Sequence, residues 1–187
     1  MTDQIEPAQE RKRSGVWRLA VAVIAAALAV WGLNYLLVGR PVGRALLSDT
    51  RNRGYSLCAH YGYYLNPNVL VLDLRAIDSA APLDLFRGIF QSAEALHNSG
   101  RRFERVALAR SGTTVFLMNG EDFSTLGLEF GAGQNPVYLV RTLPEKLLRP
   151  DGEAAFGRWQ GGLIGVLGEQ AEDANDAAQQ WASGDDS

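Results

Sequence analysis

Residues 19–38 read LAVAVIAAALAVWGLNYLLV, an uncharged run of twenty residues in which Asn34 is the one strongly polar side chain. A helix rises about 1.5 Å per residue, so this run matches the roughly 30 Å of a bilayer's hydrocarbon core. A helix that is apolar on every side leaves no face for water. The sequence therefore predicts one membrane-spanning helix at 19–38, with a cytoplasmic tail over 1–18, and the lipid bilayer as a partner.

Basic residues flank the apolar run on both sides and bear on its orientation. They are Arg11, Lys12, Arg13 and Arg18 before it, and Arg40, Arg44, Arg51 and Arg53 after it. The compact 11–13 block and the short N-terminal tail favour a cytoplasmic N-terminus, since positive residues tend to stay inside. We therefore expect a bacterial inner-membrane protein with its C-terminal domain outside the cytoplasm.

A cleaved signal peptide is the alternative to a retained anchor. The small-x-small triplet at 27–29 has the form of a cleavage site. Cleavage there would leave residues 31–38 as an apolar stub, and the uncharged run is longer than a usual signal core. The pattern favours an uncleaved signal anchor.

Composition excludes several classes of function. The net charge is −3, and no basic field is present of the kind that binds nucleic acid nonspecifically. One cysteine and two histidines allow neither an internal disulfide nor a multi-thiolate metal site. We expect no cofactor, no metal and no nucleic-acid partner.

The remaining chain predicts a juxtamembrane connector over 39–66, an α/β domain over 67–171 and an acidic, disordered tail over 172–187. Within the domain, apolar runs predict strands at 69–74, 103–110, 113–118 and 137–141. One helix is expected between Pro82 and Gly100, and a short one from Asp122 to Gly131. This order is that of the ferredoxin-like βαββαβ plan, so the predicted fold class is α+β.

Residues 153–170 predict an extra C-terminal helix with a stripe of glycines. The stripe consists of Gly157, Gly161, Gly165 and Gly168, and Trp159 lies on the adjoining apolar side. Each interior glycine costs a helix about 1 kcal/mol relative to alanine, so close approach of another backbone is the expected compensation. The surface that packs there is the domain's own sheet, a second copy, another protein or a membrane; a glycine-rich loop is the remaining alternative.

Two features are weak candidates for chemistry. Asp73 and Asp78 flank the exit of the first strand, where paired carboxylates can bind metal or transfer protons, although turn and cap roles are commoner. The loop 131–135 has exposed amides that could hold an anion. Its candidate ligand-binding residues are Gly131, Gly133, Gln134 and Asn135, with Arg141 nearby.

Cys58 and His60 are two residues apart, so an extended strand would direct both to one side. No neighbouring residue orients the imidazole or supplies an oxyanion donor, so a half-buried structural cysteine is the favoured interpretation. Because no acid, base, nucleophile or metal set converges by spacing, we expect a membrane-anchored binding or assembly module that engages a protein partner or itself. The alternative is a hydrolytic or small-ligand enzyme that uses Asp73, Asp78 and the 131–135 loop.

Overall fold

The computed structural model describes the backbone of residues 8–159 and 163–184, and side chains over 17–159 and 165–184. The chain begins with helix α1 (Ala8–Asn34), which continues through a π-helical turn (Tyr35–Gly39) into α2 (Arg40–Ser48). The wider turn ends two residues before Pro41, whose ring has no N–H and crowds the carbonyl four residues earlier. Among the described residues, Trp17–Ser48 is the one helix long and apolar enough to cross a membrane.

A mixed sheet of five strands follows, and its spatial order is the chain order. The strands are β1 (Tyr55–Gly62), β2 (Asn66–Ile77), β3 (Arg105–Arg110), β4 (Thr113–Asn119) and β5 (Leu147–Leu148). Strands β2 and β3 are parallel and the other neighbours are antiparallel. The strands predicted at 69–74, 103–110 and 113–118 correspond to β2, β3 and β4.

Helix α3 (Asp84–Asn98) makes the crossover between β2 and β3, and Gly100 follows it in the left-handed conformation expected of a helix stop. Helix α4 (Gly120–Gly131) packs against α3, as α2 does. Helix α6 (Leu163–Ser183) packs on β3 and β4. Residues 106–109 are buried without interruption, and since successive strand residues face opposite sides, both faces of β3 are covered.

The strand predicted at 137–141 is wrong. These residues belong to helix α5 (Pro136–Thr142). Asn135 caps this helix by accepting the N–H of Val137 at 2.9 Å, and Pro136 occupies its first turn. The chain is α+β, but the ferredoxin-like order is not confirmed, because a helix stands where that plan needs its last strand.

Two segments expected to lie outside the α/β domain, the connector and the disordered tail, are folded parts of it. Residues 39–66, the expected connector, contain α2 and β1, and Val38, Val42 and Leu46 are core residues. Most of the tail expected to be disordered over 172–187 belongs to α6, where Ala174, Ala177, Ala178 and Trp181 are buried. The acidic composition of this segment suggested disorder, because its four buried residues form an apolar face only when the chain is read at helical spacing.

Candidate functional site at the helix–hairpin junction

The two candidate carboxylates have structural partners. Asp73 is fully buried, and its Oδ1 accepts the N–H of Gly112 at 3.0 Å. Its Oδ2 lies 2.6 Å from the Arg75 guanidinium, an ion pair without hydrogen-bond alignment. Asp78 is exposed, and its backbone N–H donates to the carbonyl of Gly54 at 2.8 Å. The pair does not converge on a shared space, and Asp73 stabilises the β3–β4 turn.

The 131–135 loop uses its amides internally. The N–H groups of Ala132, Gly133 and Gln134 donate to carbonyls of α4, and that of Asn135 donates to the Gln134 side chain. These bonds occupy the N–H groups of residues 132–135, so the loop does not present them to an anion. Arg141 lies half-buried on α5, and its Nε has no hydrogen-bond partner among the described residues.

The glycine stripe lacks the close packing expected within this chain. A Cβ added at Gly157, Gly165 or Gly168 would meet nothing within 4 Å. Gly161 lies outside the described residues. Gly157 precedes α6 in irregular structure, and Trp159 donates its indole N–H to Asp173 on that helix. A role for Gly165 and Gly168 in contact with another chain stays a prediction.

Asn34 joins the apolar helix to the β1–β2 hairpin. Its Oδ1 accepts the N–H of Tyr61 at 2.8 Å, and its Nδ2 donates to the carbonyl of Tyr64 at 2.7 Å and to that of Val30 at 3.0 Å. Only 4% of Asn34 is exposed. The signal for this site in the sequence is that Asn34 is the one strongly polar residue in the apolar run.

Strand β1 lies alongside residues 34–47 of the helix. A Cβ on Gly39 would come within 3.4 Å of the carbonyl oxygen of Ala59. Further along, Leu46 and Leu47 line a cavity of about 510 Å³ together with Tyr55. From residue 34 to 47 the helix rises about 20 Å, and from 61 back to 55 the strand also covers about 20 Å. The strand therefore runs along the helix axis, with the hairpin turn nearest the apolar half of α1.

Cys58 and His60 line a crevice of about 280 Å³ at this junction. The His60 ring stacks on Tyr64 with centroids 4.3 Å apart, and its Nδ1–H donates to the carbonyl of Tyr61 at 2.8 Å. The crevice is also lined by aromatic and small residues of the helix: Trp31, Tyr35 and Gly39. No group of three or more potential metal ligands occurs in the part of the chain that the structure describes. His97, the other histidine, contacts Ser124 Oγ at 3.1 Å and links α3 to α4.

A second polar network fixes the far end of α2. Asn52 Nδ2 donates to the carbonyl of Leu46 at 2.9 Å and to Gln91 on α3 at 2.6 Å, and its Oδ1 accepts the Tyr55 hydroxyl at 2.8 Å. Burial raises the pKa of Tyr55 to about 12, so the hydroxyl remains a donor at neutral pH. Hydrogen bonds from Arg51 hold the pKa of the adjoining Asp49 well below its usual range.

No protein-family model, curated protein or solved structure matches this chain. Its most specific feature is the junction at which the apolar helix is fastened to the hairpin and then enters the domain core.

Proposed function

We propose that this chain is a single-pass membrane protein whose α+β domain is held in a fixed position against the bilayer and acts as a binding or assembly module. The observation that supports this is the unbroken passage of the apolar helix into the core. Val38, Val42 and Leu46 continue the stripe begun by Asn34 at four-residue spacing, and all are buried. A domain attached in this way cannot swing freely about its anchor.

A fixed domain suits recognition of a partner that is itself confined to the membrane. Restricting both partners to one plane and orientation removes part of the entropy that association costs. The partner is another protein or a second copy of this chain. The enzyme alternative draws no support from the geometry, because Asp73, Asp78 and the 131–135 loop each have structural partners and lie apart.

We further propose that the membrane is a bacterial inner membrane and that the domain lies outside the cytoplasm. The N-terminal tail is short and contains the compact basic block Arg11, Lys12 and Arg13. This supports the orientation, because basic residues close to the end of a span tend to stay in the cytoplasm.

Alkaline carbonate extraction tests the anchor, and protease accessibility in spheroplasts tests the orientation. The full-length chain should stay in the membrane fraction, and protease added outside should digest the domain. Release into the soluble fraction would refute the membrane proposal. A domain that resists protease until the membrane is lysed would place it in the cytoplasm.

Site-specific photo-crosslinking in intact membranes tests the module. Probes at the exposed positions Leu128 and Val137 would sample the α4–α5 surface, and one at Thr113 would sample the β3–β4 turn. We expect a discrete adduct from one surface only, weakened by Asn34→Ala while membrane extraction is unchanged. Adducts absent from every exposed position of the domain would refute an assembly role.

A further inference from the structure

The turn between β1 and β2 exposes large apolar side chains. This hairpin tip, residues 63–65, consists of Tyr63, Tyr64 and Leu65, which are 93%, 43% and 72% exposed. Charged residues are absent from the sequence between Arg53 and Asp73, so both strands near the tip are also free of charge. A cluster of large exposed apolar side chains is uncommon on a domain surface that faces water.

The tip lies level with the end of the apolar helix. Asn34 binds Tyr61 just before the turn and Tyr64 within it, and Tyr64 lines the same crevice as Trp31 and Tyr35. From Trp17 to Asn34 the helix rises about 26 Å, close to the thickness of the hydrocarbon core. A helix that spans the bilayer from Trp17 therefore brings the tip to the opposite interface.

The backbone of the tip is held in a costly conformation. Tyr63 and Tyr64 have φ angles of 49° and 61°, the left-handed region that Asn and Gly adopt most readily. Bulky residues in this region cost of order 1 kcal/mol or more each, and such strain is typical of functional positions. Tyrosine at these two positions thus has a use other than forming the turn.

Arginines lie at the same end of the sheet. The N–H of Glu104 donates to the carbonyl of Asn68 at 2.8 Å, and the ring of Phe103 lies 6.4 Å from that of Tyr61. The segment before β3 is thereby placed beside the base of the hairpin. It contains Arg101 and the exposed Arg102, and such guanidinium groups interact with lipid phosphates.

We propose that the hairpin tip inserts into the interfacial zone of the bilayer and forms a second membrane contact beside the helix. Tyrosine suits this zone, because its ring enters the apolar layer while its hydroxyl remains hydrated. The tip continues the lipid-facing surface of Trp31 and Tyr35, and Asn34 holds it at the required depth. This inference rests on the proposed function, since it requires α1 to span the membrane.

Spin-label depth measurements test the insertion in the full-length chain. With Cys58→Ser as background, labels are placed at Leu65→Cys in the tip, Thr113→Cys in the distal turn and Leu28→Cys in the helix. The protein is reconstituted into vesicles of phosphatidylcholine and phosphatidylglycerol, and collisions with oxygen and with a water-soluble nickel chelate are compared. We expect the label at 65 to lose most nickel collisions and gain oxygen collisions, while the label at 113 remains accessible to nickel.

The outcomes separate the two proposals. If the label at 28 is shielded and the label at 65 is as accessible to nickel as that at 113, the insertion is refuted and the anchor stands. If the label at 28 is itself accessible to nickel, the proposed membrane function fails and the insertion fails with it.

A turn variant supplies the matched comparison. Tyr63→Asn with Tyr64→Gly keeps the turn geometry, because these residues favour the left-handed conformation, but removes both rings. In this variant the label at 65 should become accessible to nickel. An unchanged depth would show that the tyrosines do not hold the tip in the interface and would overturn their assigned role.

Discussion

Both hairpins of the sheet turn through two successive residues in the left-handed conformation, but those residues differ. Ser111 and Gly112, between β3 and β4, have φ angles of 51° and 89°, and Tyr63 and Tyr64 have 49° and 61°. Serine and glycine are common where a tight turn faces water, whereas two tyrosines are costly there. The backbone alone does not explain the difference, so the surroundings of the two turns must differ.

Each hairpin is also hydrogen-bonded to a long helix, the first through one helix side chain and the second through side chains from both the helix and the strand. At the first, the helix supplies the side chain, Asn34, and the hairpin supplies backbone groups. At the second, Trp181 of α6 donates its indole N–H to the carbonyl of Ala109 at 3.0 Å, and Arg110 donates to the last turn of that helix through the carbonyl of Ala182 at 2.8 Å. A cation at a helix C-terminus is favourable, and such groups suit a water-facing end.

The largest effect is expected at the second hairpin. Trp181→Ala should destabilise the domain by about 3–5 kcal/mol, because the side chain is fully buried and leaves a cavity. Denaturation of the full chain in detergent micelles, followed by near-ultraviolet circular dichroism, measures this loss. Trp159→Ala is the matched control, since that ring is exposed, and should cost far less. Equal losses would mean that α6 is not part of the core.

Removing the fastening at the first hairpin should be nearly as costly. Asn34→Leu leaves the N–H of Tyr61 and the carbonyl of Tyr64 without their partner, and each such group costs about 1–3 kcal/mol when buried. We expect a loss of about 2–4 kcal/mol in the same assay. Asn98→Leu, at the exposed end of α3, is the control and should be close to neutral. A neutral Asn34→Leu would show that water replaces these bonds and that the junction is not rigid.

The first hairpin also shows what sequence can and cannot predict. Periodicity predicted β2, β3, β4 and α3, because each is a local run with a clear stop. It missed the partner of Asn34, which lies 27 residues away and consists of backbone groups common to every sequence. No local pattern encodes such a contact.

The wrong predictions in other parts of the chain have different physical causes. At 137–141 the β-branched and aromatic residues favoured a strand, but the segment is helical because Asn135 caps a helix and Pro136 fits its first turn. In the tail, acidic composition suggested disorder, whereas four buried residues at helical spacing decided for packing. The candidate carboxylates were visible in the sequence, but their backbone partner in the β3–β4 turn was not.

Exchanging turn residues between the hairpins tests the comparison directly. In detergent, Tyr63→Asn with Tyr64→Gly should stabilise the domain by about 1 kcal/mol, because the left-handed strain is relieved. Ser111→Tyr should destabilise it by about the same amount for the converse reason. Melting temperatures of the two variants beside the natural chain measure both signs. Destabilisation by the Asn-Gly turn would mean that the tyrosine rings contribute packing that outweighs their strain.

The smallest effect is expected from the ion pair between Asp49 and Arg51, which follows the C-terminal end of α2. Hydrogen bonds from Arg51 lower the pKa of Asp49 in the folded chain, so the carboxylate stabilises the fold at neutral pH. This contribution is present above the unfolded value, roughly 4, and is lost as the pH falls below it toward the lowered folded value. Arg51 is largely exposed, so solvent screens the pair and the effect is small. Melting temperatures between pH 7 and pH 3 should fall slightly less for Asp49→Asn than for the natural chain. An identical pH dependence in Asp49→Asn would assign the acid sensitivity to other carboxylates and leave the Asn52 network to hold α2 against α3.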